Sequence, residues 1–131
     1  MTIRIPADWE PHGFCWMAWA VHEEWGRAVN KVKRELSEVV QTIARYDPVR
    51  VLASRDHSLR EARREFSGCS NITVIEAPVD DIWMRDIGPT FAWRGNGRDQ
   101  EVVAIDWNFN GWGGIKCRLS RAGDHIARAT P

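Results

Sequence analysis

Between Val49 and Glu76 the sequence leaves room for only one kind of connection. Val49-Arg50-Val51-Leu52-Ala53 and Ile72-Thr73-Val74-Ile75-Glu76 are short β-branched runs of strand character, and a helical pattern lies between them. Ser58 and Glu61 stand at capping-box spacing, which predicts a short helix to about Phe66 with Gly68 as its C-cap. Antiparallel strands can be joined by a tight turn, but parallel ones need a long crossover, so strand, helix and strand at this spacing predict a βαβ unit with parallel pairing. Such a crossover is right-handed. The expected fold class is α/β.

The flanking segments agree with this. Trp25, Val29, Val32, Leu36, Val39 and Ile43 fall in steps of four and three, one apolar stripe of a helix predicted over residues 23–46. Glu23 and Glu24 would sit at its electropositive start and Arg45 near its end, and Pro48 stops it. Upstream, the eight-residue apolar run Phe14 to Val21 fits a buried strand. Downstream, Thr90 to Trp93 and Glu101 to Ile105 flank Arg94-Gly95-Asn96-Gly97-Arg98, a hairpin signal, after a polar loop at 78–89.

Size and charge narrow the function classes. A chain of 131 residues is one domain by size. Eighteen basic residues balance eighteen acidic ones, which argues against a polyanion-coating protein. The longest apolar run is far short of the ~20 residues a membrane helix needs. The first six residues lack the apolar core of a signal peptide, so a cytoplasmic chain is expected. Cys15, Cys69 and Cys117 form no CxxC, and His12, His22, His57 and His125 show no metal-ligand spacing. Cys15, between Phe14 and Trp16, reads as inert packing, and Cys69 as filler after the helix-capping glycine.

Eight tryptophans against a single tyrosine are the compositional anomaly. Aromatic faces suit a cationic or planar ligand, although tryptophan also simply fills cores. The densest polar constellation is Asp80-Asp81-Ile82-Trp83-Met84-Arg85-Asp86-Ile87-Gly88-Pro89, at a strand end where α/β proteins place their sites. A carboxylate can hold a guanidinium by two parallel hydrogen bonds while a ring covers its face. The same residues would also make a surface turn in which Arg85 pairs with Asp81. A second constellation is Asp106-Trp107-Asn108-Phe109-Asn110-Gly111-Trp112-Gly113-Gly114. It is no phosphate loop, and either a small-molecule pocket or a glycine-rich turn fits it.

Trp9-Glu10-Pro11-His12, Trp16-Met17-Ala18-Trp19, Asp81 to Pro89 and Asp106 to Gly114 together carry a family resemblance in order and spacing. Over about residues 6–114 the chain resembles the N-terminal part of the agmatine deiminases, a family shared with the bacterial peptidylarginine deiminases. The resemblance implies the pentein fold, a five-bladed α/β propeller around a central site, of which this chain would be a partial propeller: about the first blade and the start of the next. It also implies cysteine-dependent hydrolysis of a guanidine, in which a thiolate attacks the guanidinium carbon, ammonia leaves, and water cleaves the adduct. A histidine moves protons and two acidic residues hold the cation. No metal or organic cofactor is implied.

By this resemblance Asp86 is the first of the acidic residues and Trp83 an aromatic flanking the substrate. Asn108 and Asn110 are neutral, which suits agmatine, a substrate with no carboxylate. The implied partner is a small-molecule guanidine, with no nucleic acid and no membrane, and self-association through uncovered propeller edges is expected. The family's histidine and nucleophilic cysteine lie beyond the last residue of this sequence, so the chain is expected to be inactive alone. Residues 115–131 match no family motif, and this arginine- and alanine-rich tail reads as out-of-frame translation. Gly113-Gly114-Ile115-Lys116-Cys117 echoes the nucleophile's glycine-rich context too early in the chain, with Lys116 in place of histidine. Alternatives are a binding module for guanidinium or polyamine cations, a peptidylarginine deiminase-type fragment and, least favoured by the neutral charge, a nucleic-acid binder.

Overall fold

The computed structural model describes residues 2–21, 23–107 and 109. Its elements in chain order are β1 (Ile3–Arg4), β2 (Cys15–Ala18), a 3-10 segment (Glu23–Ala28), α1 (Val29–Ile43), β3 (Val49–Ala53), α2 (His57–Glu65), β4 (Ile72–Glu76), α3 (Met84–Ile87), β5 (Thr90–Arg94), a 3-10 turn (Gly97–Asp99) and β6 (Glu101–Ile105). They divide into two compact units, one of residues 12–84 and one of residues 1–11 with 85–131.

In the first unit β2, β3 and β4 form a wholly parallel sheet in that order. Cys15 pairs with Val49 and Val49 with Ile72, so all three strands start at one end of the sheet and finish at the other. The expected βαβ unit is present, with α2 as its crossover. The core is Trp19, Val40, Val49, Val51, Ala53, Leu59, Ala62 and Phe66, which joins both helices to the middle strand. The indole of Trp19 meets the Phe66 ring edge-on with centroids 5.3 Å apart, a favoured aromatic geometry.

The second unit holds an antiparallel sheet in the order β1, β5, β6. The expected hairpin joins β5 to β6, with Arg94 opposite Glu101 and a guanidinium-to-carboxylate hydrogen bond of 2.7 Å across the pair. Its loop is longer than a two-residue Asn-Gly turn and includes the 3-10 turn. Gly95, at φ 103°, has the carbonyl oxygen of Asp99 2.5 Å from where a Cβ would stand, so no other residue fits there without a shift. Two-residue β1 carries no readable periodicity, yet it pairs antiparallel with β5 at Arg94 and Trp93.

Several local expectations need correction. The helix predicted over 23–46 is broken at Gly26, whose φ of 53° and ψ of −126° are not helical, so α1 begins only at Val29 and has no acidic residue in its first turn. The predicted capping box does not form. The Asp56 side chain caps α2 by accepting from the Ser58 amide at 2.6 Å, and Glu61 turns to Trp19 and Lys33 instead. The helix is capped at Phe66, and Gly68 follows in a left-handed turn at φ 82°. The loop at 78–89 contains α3 and buries Val79 and Ile87.

Candidate active site

The carboxyl ends of the parallel strands lead into the loop that the polar constellation occupies. Ser54, just past β3, holds this loop from both sides: its hydroxyl donates to the Val79 carbonyl at 2.5 Å and accepts from the Val79 amide at 3.1 Å. Val79 is thereby buried, and Asp81, also buried, accepts from the Ile82 amide at 2.7 Å. These contacts fix the backbone immediately before Trp83, whose side chain is 49% exposed. A cleft of about 300 Å³ opens beside them, lined by Ser54, Arg55, Glu76, Ala77, Pro78 and Asp80. Glu76 in its wall is paired with Arg55.

Asp86 belongs to the other unit. It lies on α3, whose Ile87 is buried while Asp86 itself is exposed. Arg85 reaches Asp8 at 3.5 Å, so the alternative pairing with Asp81 does not occur. The structure therefore places Trp83 and Asp86 three positions apart in sequence but on separate units. Farther along, the Trp107 indole donates to the Thr90 hydroxyl at 2.7 Å. Asn108, Asn110, the glycines that follow, Cys117 and the tail 115–131 lie outside the described residues.

The aromatic residues divide by role. Trp19 is core, and its indole N–H donates to Glu61 at 3.0 Å. Phe14 and Trp16 take the guanidinium of Arg50, 3.5 Å from the Phe14 ring centre, so the cation on that wall is the chain's own. Trp9, Trp83 and Trp107 are exposed. Two shifted carboxyls reflect local partners. Burial pushes Glu61 up, but hydrogen bonds from Lys33 and Trp19 outweigh it and hold it below the usual range. Glu10 is lowered by its hydrogen bonds from the Arg4 guanidinium and the Ala7 amide.

One grouping was not visible from spacing. His12, Cys15 and Asp47 converge where the parallel strands start, with donor atoms all within 4.8 Å of one another. Cys15 is half-buried, and burial, with the Asp47 charge, pushes its thiol up, away from the thiolate a nucleophile needs. The register Cys15 to Val49 is what brings Asp47 alongside, and no local pattern reports a long-range register.

A family model described as Porphyromonas-type peptidyl-arginine deiminase matches residues 4–130. The chain belongs to this family. As a deiminase-family member it is similar to the agmatine deiminase of Pseudomonas aeruginosa (strain LESB58), 39% identical over 129 residues that cover 95% of this chain and 34% of that protein. The agmatine deiminase of Pseudomonas putida (strain F1) is 39% identical over 113 residues, 86% of this chain and 29% of that protein. Among solved structures, the agmatine deiminase of Enterococcus faecalis superimposes with a TM-score of 0.82 at 29% identity, covering 96% of this chain and 34% of that one. The chain thus spans about a third of the length of the relatives it matches. The fold is that of part of an agmatine deiminase, as the pentein expectation required. The family match also runs past Gly114, where the recognisable motifs stop.

Proposed function

We propose that this chain is the N-terminal part of an agmatine deiminase-type enzyme, which hydrolyses agmatine to N-carbamoylputrescine and ammonia in the cytoplasm, a step toward putrescine. The observation that carries this reading is the 39% identity to a protein named agmatine deiminase across nearly the whole chain. In the reaction a thiolate adds to the guanidinium carbon, ammonia departs with a proton supplied by a histidine, and water then releases the urea product and returns the thiolate. The nucleophile and the histidine are supplied by sequence outside the motifs present here. What this chain contributes is recognition. By the family motif Asp86 is assigned to hold the guanidinium through charge-assisted hydrogen bonds, Trp83 to cover its face, and Asn110 to bind substrate without adding charge. Residues 6–114 are the deiminase-like part in this reading.

Trp83 and Asp86 are both exposed and so open to a ligand, which supports the assignment. The family description favours a second substrate, the arginine side chain of a peptide, which presents the same guanidinium. Calorimetry with agmatine and with an arginine-containing peptide tests both. Asp86→Asn keeps the shape and removes the charge, and is expected to weaken agmatine binding by about 1.5–3 kcal/mol. Equal affinity of the two proteins would end the assignment of Asp86, and tighter binding of the peptide than of agmatine would favour the second substrate.

A further inference from the structure

The convergence of His12, Cys15 and Asp47 lies at the end of the parallel sheet where its strands start, whereas the Trp83 loop follows the end where they finish. Cys15 Sγ stands 3.6 Å from His12 Nε2, and Asp47 Oδ2 stands 3.5 Å from the same nitrogen. One ring nitrogen faces both neighbours, and it serves both only as a donor in a shared, three-centre bond. It either carries a proton and donates, or offers its lone pair and accepts. The 3.5 Å separation from Asp47 is also longer than a good nitrogen–oxygen hydrogen bond of about 2.7–3.2 Å.

The distances have a different meaning around a metal ion. Zinc holds thiolate sulfur at about 2.3 Å and imidazole nitrogen or carboxylate oxygen at about 2.0–2.2 Å, in a tetrahedron. At tetrahedral angles those bond lengths put sulfur about 3.6 Å from nitrogen, and nitrogen about 3.4 Å from oxygen. The observed 3.6 and 3.5 Å match two edges of such a tetrahedron, and the remaining sulfur–oxygen pair lies within 4.8 Å. We propose that His12 Nε2, Cys15 Sγ and a carboxylate oxygen of Asp47 form a binding site for a zinc-like divalent ion. Thiolate, imidazole and carboxylate together suit a borderline-soft ion better than magnesium or calcium, which take oxygen. The thiol proton leaves to solvent on binding, and the fourth position of the tetrahedron is open to water.

The backbone holds two of the three donors, Cys15 and Asp47, in place before any ion arrives. The Cys15 amide donates to the Pro48 carbonyl at 2.8 Å, and the Asp47 amide donates to Ile43 at 2.9 Å. Cys15 and Val49 are paired in the sheet, and Asp47 lies two residues before Val49. His12 and Asp47 are partly exposed, with side chains 44% and 39% accessible, so an ion can reach them.

The test is titration of Zn²⁺ into the full chain by calorimetry, with Co²⁺ as a spectroscopic substitute that gives a thiolate-to-metal absorption band. One equivalent bound with that band is expected. Loss of a partner that merely orients a ligand already costs affinity about tenfold, so Cys15→Ser, His12→Gln and Asp47→Asn should each weaken binding by at least about tenfold. Cys69→Ser and Cys117→Ser should leave both affinity and band unchanged. His12→Gln and Asp47→Asn alter partly exposed side chains, so they keep the test decisive if Cys15→Ser fails to fold. Absence of the Co²⁺ thiolate band, binding that survives all three ligand substitutions, or a band lost in Cys69→Ser or Cys117→Ser would overturn the proposal.

Discussion

Glu61 satisfies two donors from distant parts of the chain. It accepts the indole N–H of buried Trp19 at 3.0 Å and the Lys33 ammonium at 2.6 Å, joining β2's extension, α1 and α2. Removing it leaves a buried N–H without an acceptor, which costs about 1–3 kcal/mol. Glu61→Ala is therefore expected to lower unfolding stability by that amount, measured by urea denaturation. The lowered pKa fixes the pH dependence. A carboxyl held below its unfolded value stabilises the fold fully above that value, about 4.3 for glutamate, and this contribution is lost as pH falls through the folded value. The advantage of the wild type over Glu61→Gln should thus shrink between about pH 6 and about pH 3. An unchanged difference across that range would show that Glu61's charge does not contribute.

At the scale of elements, Gly26 decides where α1 begins. The stripe from Trp25 to Ile43 continues across it, so periodicity alone predicted one long helix. Periodicity records which face is buried and says nothing about the backbone angles between its members. Nothing lies within 4 Å of a Cβ built at Gly26, so a substitution there meets open space and only backbone strain. Gly26→Ala should cost about 1–3 kcal/mol, the usual range for a side chain forced into such a region. Gly13→Ala, also in open space but without a positive φ, should stay within about 0.5 kcal/mol. Similar values for the two in urea melts would mean that the 3-10 segment adjusts freely. The strands β3, β4 and β6 were legible to their ends because β-branched runs are bounded there by polar or turn residues. β1 was not, since two residues carry no alternation and only the distant β5 makes them a strand. The same limit hid His12, Cys15 and Asp47. Asp86 and Trp83, by contrast, stood out through a family motif and not through residue type, since a surface turn explained their types better.

For the molecule as a whole, the decisive quantity is the share of the relatives' length, about a third. Catalytic groups that act as a unit lose orders of magnitude when one is absent. The chain alone is expected to release no ammonia from agmatine, with Cys117→Ser run beside it. Turnover that vanished in that variant would make Cys117 a nucleophile. Each three-stranded sheet also has two edge strands within its own unit, and Ile3 and Val102, on the two edges of the antiparallel one, are exposed. Unpaired edges bearing apolar residues favour self-association. Sedimentation should show species larger than a monomer, and a clean monomer at high concentration would argue that the edges are protected.

The pairing of β1 with β5 has a consequence in time. The Gly95 amide donates to the Thr2 carbonyl at 3.0 Å, so the second residue of the chain waits for the ninety-fifth. At a synthesis rate of about 5–20 residues per second, that wait is roughly 5–20 s, during which Ile3 and Arg4 have no strand to join. The intervening residues 12–84 contain a parallel sheet with its two helices, and they leave the ribosome as a contiguous block before β5 does. Order of emergence thus differs from order of closure: the segment made first is fixed last. A nascent chain carries β1 unpaired, open to a chaperone, until β5 arrives.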